Sequence, residues 1–382
     1  MAAYLQQGHG SWGLLEEPEI GPFKGLVLSP VNDGPDAVRN GLQRLKNRLD
    51  DLEVILDPQL YNPSHEKGKL AEWGYYTADF ETADHSDRNW WAARGREVVD
   101  AAAALELDAI CSPALVPRAF TDDYYRLIVE VADETAAYAR EHGIETLITA
   151  IVPLRDLANP DRAHQIASVL SGSDCDRIYL SFYTNEIEPR QPLNDAAALA
   201  TAIHLVRLLS THFRVHVAFC GHDLVLWKFA GAADVSAGKF FNLRRFTPAR
   251  WRDEEGGGRL VSYWNESTLF TLLRDQEVLR LDRLGWFATR TFAQNPHSAA
   301  ILETLRGGTG AAWQKLSWLQ FLRWVATTDV LFSDPAVAEK AVERADVAWG
   351  ELAGQRILFT DRWNDGSHIR VWLNAMREGS AR

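Results

Sequence analysis

The feature that most limits what this chain can become is a repeated alternation. Short apolar, β-branched runs trade places with stretches of helical spacing from about residue 24 to about residue 240. The strand candidates are Gly25–Ser29, Leu52–Asp57, Ala109–Ser112, Thr146–Val152, Arg177–Phe182 and Val215–Cys220, with a shorter one at Ala233–Ser236. Between them Pro35–Leu49, Asn89–Leu105, Asp122–His142, Asp161–Leu170 and Asp195–Thr211 carry the helical period. Thr121 and Asn194 offer cap chemistry at two helix starts, and Gly143 marks a helix stop. Strand–helix alternation with short connections implies a parallel sheet with right-handed crossovers.

Seven candidates favour a closed barrel, an α/β fold of the (β/α)8 TIM type, over an open doubly wound sheet. The eighth strand is expected at Tyr75–Phe80 or Leu260–Trp264. No GxGxxG follows the first strand and no GxxxxGK[ST] occurs, which counts against a nucleotide-binding open sheet. We expect residues 1–258 to form the barrel, with residues 64–88 inserted as a long loop. Beyond the Gly256–Gly258 turn, residues 259–382 read as a mainly helical extension. Its helices are expected at Ser267–Leu284, Ser298–Leu305, Ala311–Thr327, Pro335–Ala353 and Ile369–Met376, with a strand-like run at Arg356–Phe359. Eight of the fourteen tryptophans lie in that extension, either as packing residues or as a surface that stacks bases or docks a protein partner.

A formal charge of −12 argues against a protein that coats nucleic acid. Cys111, Cys175 and Cys220 are too scattered for a disulfide framework or a zinc module, and HExxH is absent, so no metal and no cofactor are expected. With neither a secretory leader nor a long apolar span, the expectation is a cytoplasmic protein without a membrane partner.

Against that acidic background, Lys239–Arg252 carries five cations and no acid. Such a local reversal of charge beside a strand end suits an anionic ligand. Lys239 reads as a phosphate or Schiff-base lysine, and Arg244 with Arg245 as a bidentate phosphate clamp. Phe240, Phe241 and Phe246 interleave with them, a mixture suited to stacking a base beside its backbone, and Asn242 lies among them. Polar residues also follow the other strands: Asp57, Gln59 and Tyr61; Ser112; Tyr183, Asn185 and Glu186; His222 and Asp223; then Asp234. In a barrel that is the catalytic face. Asp57 is the sharpest of them, because it closes the apolar run Val54-Ile55-Leu56 and precedes Pro58. A partly desolvated carboxylate there suits acid–base work, while a loop-capping aspartate is the plainer alternative. His222 reads as a proton shuttle, and Asp223 and Asp234 as acids, nucleophiles or simple turn residues.

Gly221-His222-Asp223-Leu224, Gly231-Ala232-Ala233-Asp234, Gly238 and the arginine-bearing tail into Phe246-Thr247 together resemble the tRNA-guanine transglycosylase superfamily. Members of that family are (β/α)8 barrels that exchange a base at a glycosidic bond, and divergent members occur in DNA-modification and anti-phage operons. The resemblance implies base recognition by Asp57, a nucleophile or acid at Asp234 or Asp223, and a nucleobase, deazapurine or nucleoside ligand, free or within nucleic acid. Ala237 stands where the family places a second aspartate, Asp57-Pro58-Gln59-Leu60 replaces a serine–glycine–glycine run, and the zinc module is absent. Two other readings stay open: a Lys239-dependent lyase, and a barrel that binds a ligand or partner without turnover.

Overall fold

The computed structural model describes residues 2–17, 19–45, 52–185, 188–251, 261–289, 295–308 and 310–382. Eight parallel strands close a barrel in chain order: β1 (Ala2–Gln6), β2 (Gly25–Leu28), β3 (Glu53–Leu56), β4 (Ala109–Cys111), β5 (Glu145–Pro153), β6 (Arg177–Tyr183), β7 (Arg214–Val217) and β8 (Asp234–Ala237). Closure is made by β1 against β8, with Ala2 opposite Asp234 and Leu5 opposite Ala237. The connections carry α1 (Trp12–Leu15), α2 (Pro35–Leu45), α3 (Arg88–Ala103), α4 (Asp122–Glu141), α5 (Asp161–Leu170), α6 (Ala196–Leu209) and α7 (Leu224–Phe229). Thr121 caps α4 through its hydroxyl, whereas Asp195, not Asn194, caps α6 by accepting from the Ala198 amide.

The eighth strand is therefore β1, not either expected segment. Its sequence, Ala-Ala-Tyr-Leu-Gln, holds no β-branched residue, and it becomes a strand because β2 and β8 bond it on both sides. Tyr75–Phe80 is irregular, Leu260 lies outside the described residues, and Trp264–Glu266 forms β9, which pairs antiparallel with β10 (Thr271–Leu273). That hairpin also corrects the helix expected over Ser267–Leu284, of which only α8 (Asp275–Arg283) is helical. Phe270, at φ 49°, turns the chain back between the two strands. Arg356–Phe359 forms no strand, and Gly256–Gly258 falls outside the described residues.

The extension continues through α9 (Pro296–Arg306), α10 (Gln314–Leu331), α11 (Pro335–Gly354) and α12 (Ser367–Ala381). It packs directly on the barrel: α12 lies on α6, α11 on α7, and α10 on β1 and β8. Trp372 donates its indole N–H to the Leu193 carbonyl at 2.8 Å, and Lys228 of α7 pairs with Asp329 of α10 at 2.8 Å, both wholly buried. Trp264, Trp286, Trp313, Trp324, Trp349 and Trp372 are all buried, so most tryptophans of this region serve its core.

Strand alternation sends every second residue into the barrel. At the N-terminal end the first residues of β3, β5, β6, β7 and β8 are Glu53, Glu145, Arg177, Arg214 and Asp234, all charged. Arg177 bonds Glu53, and Glu145 at 2.7 Å, while Tyr4 donates its hydroxyl to Glu53. Arg214 grips Asp234 through two bonds of 2.7 and 2.9 Å. Above this charged plug the Tyr4, His216 and Tyr179 rings pack together, with centroids 4.7 and 5.2 Å apart. Gly25 is required beside them, because a Cβ there would sit 2.0 Å from the Tyr4 ring.

Candidate active site at the C-terminal mouth of the barrel

Asp57 follows the last residue of β3 and is fully buried at the other end of the barrel. Pro58 keeps it extended, and the chain then enters a left-handed turn at Gln59, φ 56°. That turn aims the Gln59 amide at Asp57 Oδ1 (3.1 Å), which also accepts from the Tyr61 hydroxyl at 2.8 Å. Oδ2 is far less well served. Its contacts are Gln59 Nε2 and the Tyr179 hydroxyl, both at 3.5 Å. Tyr179 has one hydrogen to give, and Gln6 Oε1 lies closer to it, at 3.1 Å. Burial raises the Asp57 pKa to about 6 against the pull of Tyr61, Arg250 and Gln59.

Gln6 completes this floor. Its Oε1 also accepts from Ser236 Oγ at 3.0 Å, while its Nε2 is buried without a partner among the described residues. Ser181, two residues beyond Tyr179 on the inward face of β6, likewise has a buried hydroxyl with no partner among the described residues. Ser29 donates to Gln59 Oε1 at 2.9 Å and holds that amide. The result is an under-satisfied acceptor and an unused donor on either side of one tyrosine hydroxyl. Buried polar groups are ordinarily paired, so such a cluster is where a ligand belongs.

A roof of aromatic rings covers the floor. Phe246 packs on Tyr61 (5.0 Å), Phe219 (5.0 Å) and Tyr183 (6.0 Å), and its carbonyl accepts from the Thr184 amide at 3.0 Å. Phe219, after β7, holds a second left-handed backbone at φ 57°. The Arg250 guanidinium lies over the Phe219 ring at 4.8 Å, donates to the Asn242 carbonyl at 2.7 Å, and is the cation whose field reaches Asp57.

Of the residues singled out in the sequence, Asp57, Gln59, Tyr61 and Tyr183 meet here. Asp234 does not: as the first residue of β8 it lies at the opposite end of the barrel, held by Arg214. Asp223 bonds the Gly221 amide (2.9 Å) and the Trp227 indole (3.0 Å), so it anchors the turn after β7. His222 leans on Trp324 and meets Asn265 Oδ1 at 2.6 Å; burial lowers its pKa to about 3, which leaves it neutral and unsuited to shuttling protons near pH 7. Lys239 donates to the Gly10 carbonyl at 3.1 Å and lies over the Phe240 and Trp318 rings. Arg244 donates to the Gly238 and Lys239 carbonyls and stacks 3.4 Å from the Phe321 centroid, and Arg245 donates to the Gln191 carbonyl. The expected clamp therefore turns toward the C-terminal region, away from Asp57. Phe240 packs on Trp318, Asn242 is exposed, Asn185 has a buried Oδ1 without a partner among the described residues, Ser112 bonds Thr149, and Glu186 lies outside the described residues.

Sequence reading missed Gln6, Tyr179, Ser181, Ser236 and Arg250. Alternation along β6 carries the signal for Tyr179 and Ser181, whereas Gln6 was hidden with the unrecognised β1. Among the described residues no cluster of three or more His, Cys, Asp or Glu is placed to hold a metal ion, and no described helix is long and apolar enough to cross a membrane.

No family model matches the chain, and no curated protein matches it. Solved structures that superpose on it include a type I 3-dehydroquinate dehydratase from Clostridium difficile (9% identity, 64% of this chain and 87% of that one, TM-score 0.35). A D-psicose 3-epimerase superposes at 12% identity over 68% of this chain and 92% of that one, TM-score 0.37. A family GH3 glycosyl hydrolase from Mycobacterium smegmatis does so at 14% identity over 62% and 83%, TM-score 0.38. Likeness this distant adds nothing to what the strand pairing already establishes.

Proposed function

We propose that the chain is a barrel enzyme that binds a planar, hydrogen-bonding ring, a nucleobase or nucleoside, at the Asp57 mouth and moves a proton on it. One observation carries the reading: a buried carboxylate whose pKa burial raises to about 6, with one poorly satisfied oxygen facing the same Tyr179 hydroxyl as the Gln6 amide, whose nitrogen has no partner among the described residues. An edge presenting a donor beside an acceptor matches Asp57 Oδ2 and Gln6 Nε2, and the rings of Tyr61, Phe219 and Phe246 supply a stacking environment. A carboxyl that titrates close to neutral pH is suited both to accept a ring N–H and to hand a proton to a leaving nitrogen. Phe246 and Arg250 close over the mouth, so ligand entry requires the segment after β8 to lift.

The resemblance to transglycosylases supports a ligand of this class, and base exchange is the finer form of the proposal. Ala237 and the placement of Asp234 favour a second reading, a barrel that binds the ring without a displacement step. Base release and exchange on RNA, DNA and free nucleosides, run beside ligand binding, separates the two. The first reading expects turnover that Asp57→Asn reduces by about two to four orders of magnitude; binding without turnover leaves the second. Wild-type behaviour of Asp57→Asn in both assays removes the mouth from the account.

A further inference from the structure

A cavity of about 30 Å³ lies between the segments after β6, β7 and β8 and the β9–β10 hairpin. Roughly 10–15 Å³ of such space holds one water, so the cavity has more room than a single water needs. Arg190, Arg244 and Arg245 line it together with Asp223 and His222. Three carboxylates stand near these three arginines, yet among the described residues none of them pairs with Arg244. Glu188 (2.8 Å) and Asp361 (3.9 Å) answer Arg190, and Asp223 stands 3.8 Å from Arg245. Neutral His222 contributes nothing. Among the described residues Arg244, which is buried, has carbonyl and ring partners and no carboxylate, and burial lowers its pKa to about 9. Arg245 is also buried, and its Nε–H has no acceptor among the described residues. A guanidinium desolvated without a counter-charge is costly.

We propose that this cavity is an oxyanion site, separate from the Asp57 mouth, in which Arg244 and Arg245 hold one phosphate- or carboxylate-sized group. The bound anion supplies the missing negative charge and gives the Arg245 Nε–H its acceptor. Both arginines precede Phe246 directly, so occupancy also fixes the segment that roofs the mouth.

Calorimetric titration of the full chain with inorganic phosphate, at ionic strength held constant with chloride, tests it. One-to-one saturable binding is expected, weakened at least tenfold in Arg245→Gln and in Arg244→Gln. Should either variant fail to fold, Arg245→Lys keeps the charge, loses the Nε–H donor, and is expected to bind at least tenfold more weakly. Parallel titrations with acetate and with a nucleoside 5′-monophosphate identify whether the group is a carboxylate, a free phosphate or a nucleotide's phosphate. A selenate-soaked crystal is expected to show its anomalous peak between Arg244 and Arg245. Heats indistinguishable from chloride, unchanged binding in Arg245→Gln, or a peak elsewhere overturns the proposal. Asp57→Asn is expected to leave phosphate binding intact, so this site and the mouth stand or fall separately.

Discussion

The two ends of the barrel handle buried charge in opposite ways. At the N-terminal end each acid that opens a strand has a guanidinium: Glu53 and Glu145 share Arg177, and Asp234 has Arg214. Burial alone would raise the Glu53 pKa, but bonds from Arg177 and Tyr4 outweigh it, and the net shift is downward. At the C-terminal end Asp57 has hydroxyl and amide donors but no ion-pair partner among the described residues, and its pKa rises to about 6. An acid shifted down stabilises the fold, whereas an acid shifted up destabilises it once ionised. The contrast separates charge that holds the barrel together from charge available to a ligand.

The contrast is tested first at its functional pole. Asp57→Asn is expected to lower turnover about 10²–10⁴-fold in the base-release assay. The same change should raise stability, because a carboxyl moved from 3.8 to about 6 costs about 3 kcal/mol when fully ionised. The sign follows from proton uptake: the folded protein holds the Asp57 proton over a pH range in which the unfolded chain has lost it. Wild-type stability therefore falls as pH rises between 3.8 and about 6, and urea titrations should show the gain over wild type growing across that range and then levelling. A variant less stable than wild type at pH 8 would break the comparison.

At the structural pole, Arg177→Met strands Glu53 and Glu145 and should cost about 3–5 kcal/mol in the same titrations. Its pH signature is reversed: the Glu53 contribution is present above the ordinary carboxylate range and is lost as pH falls through its lowered pKa. Asp234→Asn should cost less, about 1–3 kcal/mol, because Arg214 is half exposed and solvent screens the pair. Its turnover should match wild type; a collapse of activity in a stable Asp234→Asn protein would return that residue to the chemistry. The smallest change expected is from Arg250→Gln, which removes a cation that favours ionised Asp57. The midpoint of the acid limb of ligand binding should move upward by about one pH unit or less.

Seven strands were legible because each is a compact apolar run bounded by turn residues. β1 was not, since two alanines, a tyrosine, a leucine and a glutamine form a strand only between two neighbours. Asp57 was legible because it closes its run, and parallel strands deliver closing residues to the catalytic face. Asp234 opens its run, ahead of Val235-Ser236-Ala237, which sends it to the opposite face. The order of acid and apolar residues thus decides the end of the barrel, once the strand limits are known to a single residue. The surroundings of the basic stretch were not legible for another reason: whether an arginine faces solvent, a ring or a carbonyl depends on α10 and the segments after β6 and β7, which lie outside that stretch.

Pairing of Ala2 with Asp234 also sets a timetable for synthesis. At about 5–20 residues per second, a ribosome needs on the order of ten to fifty seconds to deliver the last strand after the first. Until then the opening segment and its neighbours present raw hydrogen-bonding edges, the kind that recruit other chains. Nascent chains halted before residue 234 should therefore be the ones that holdase chaperones retain and that aggregate when released.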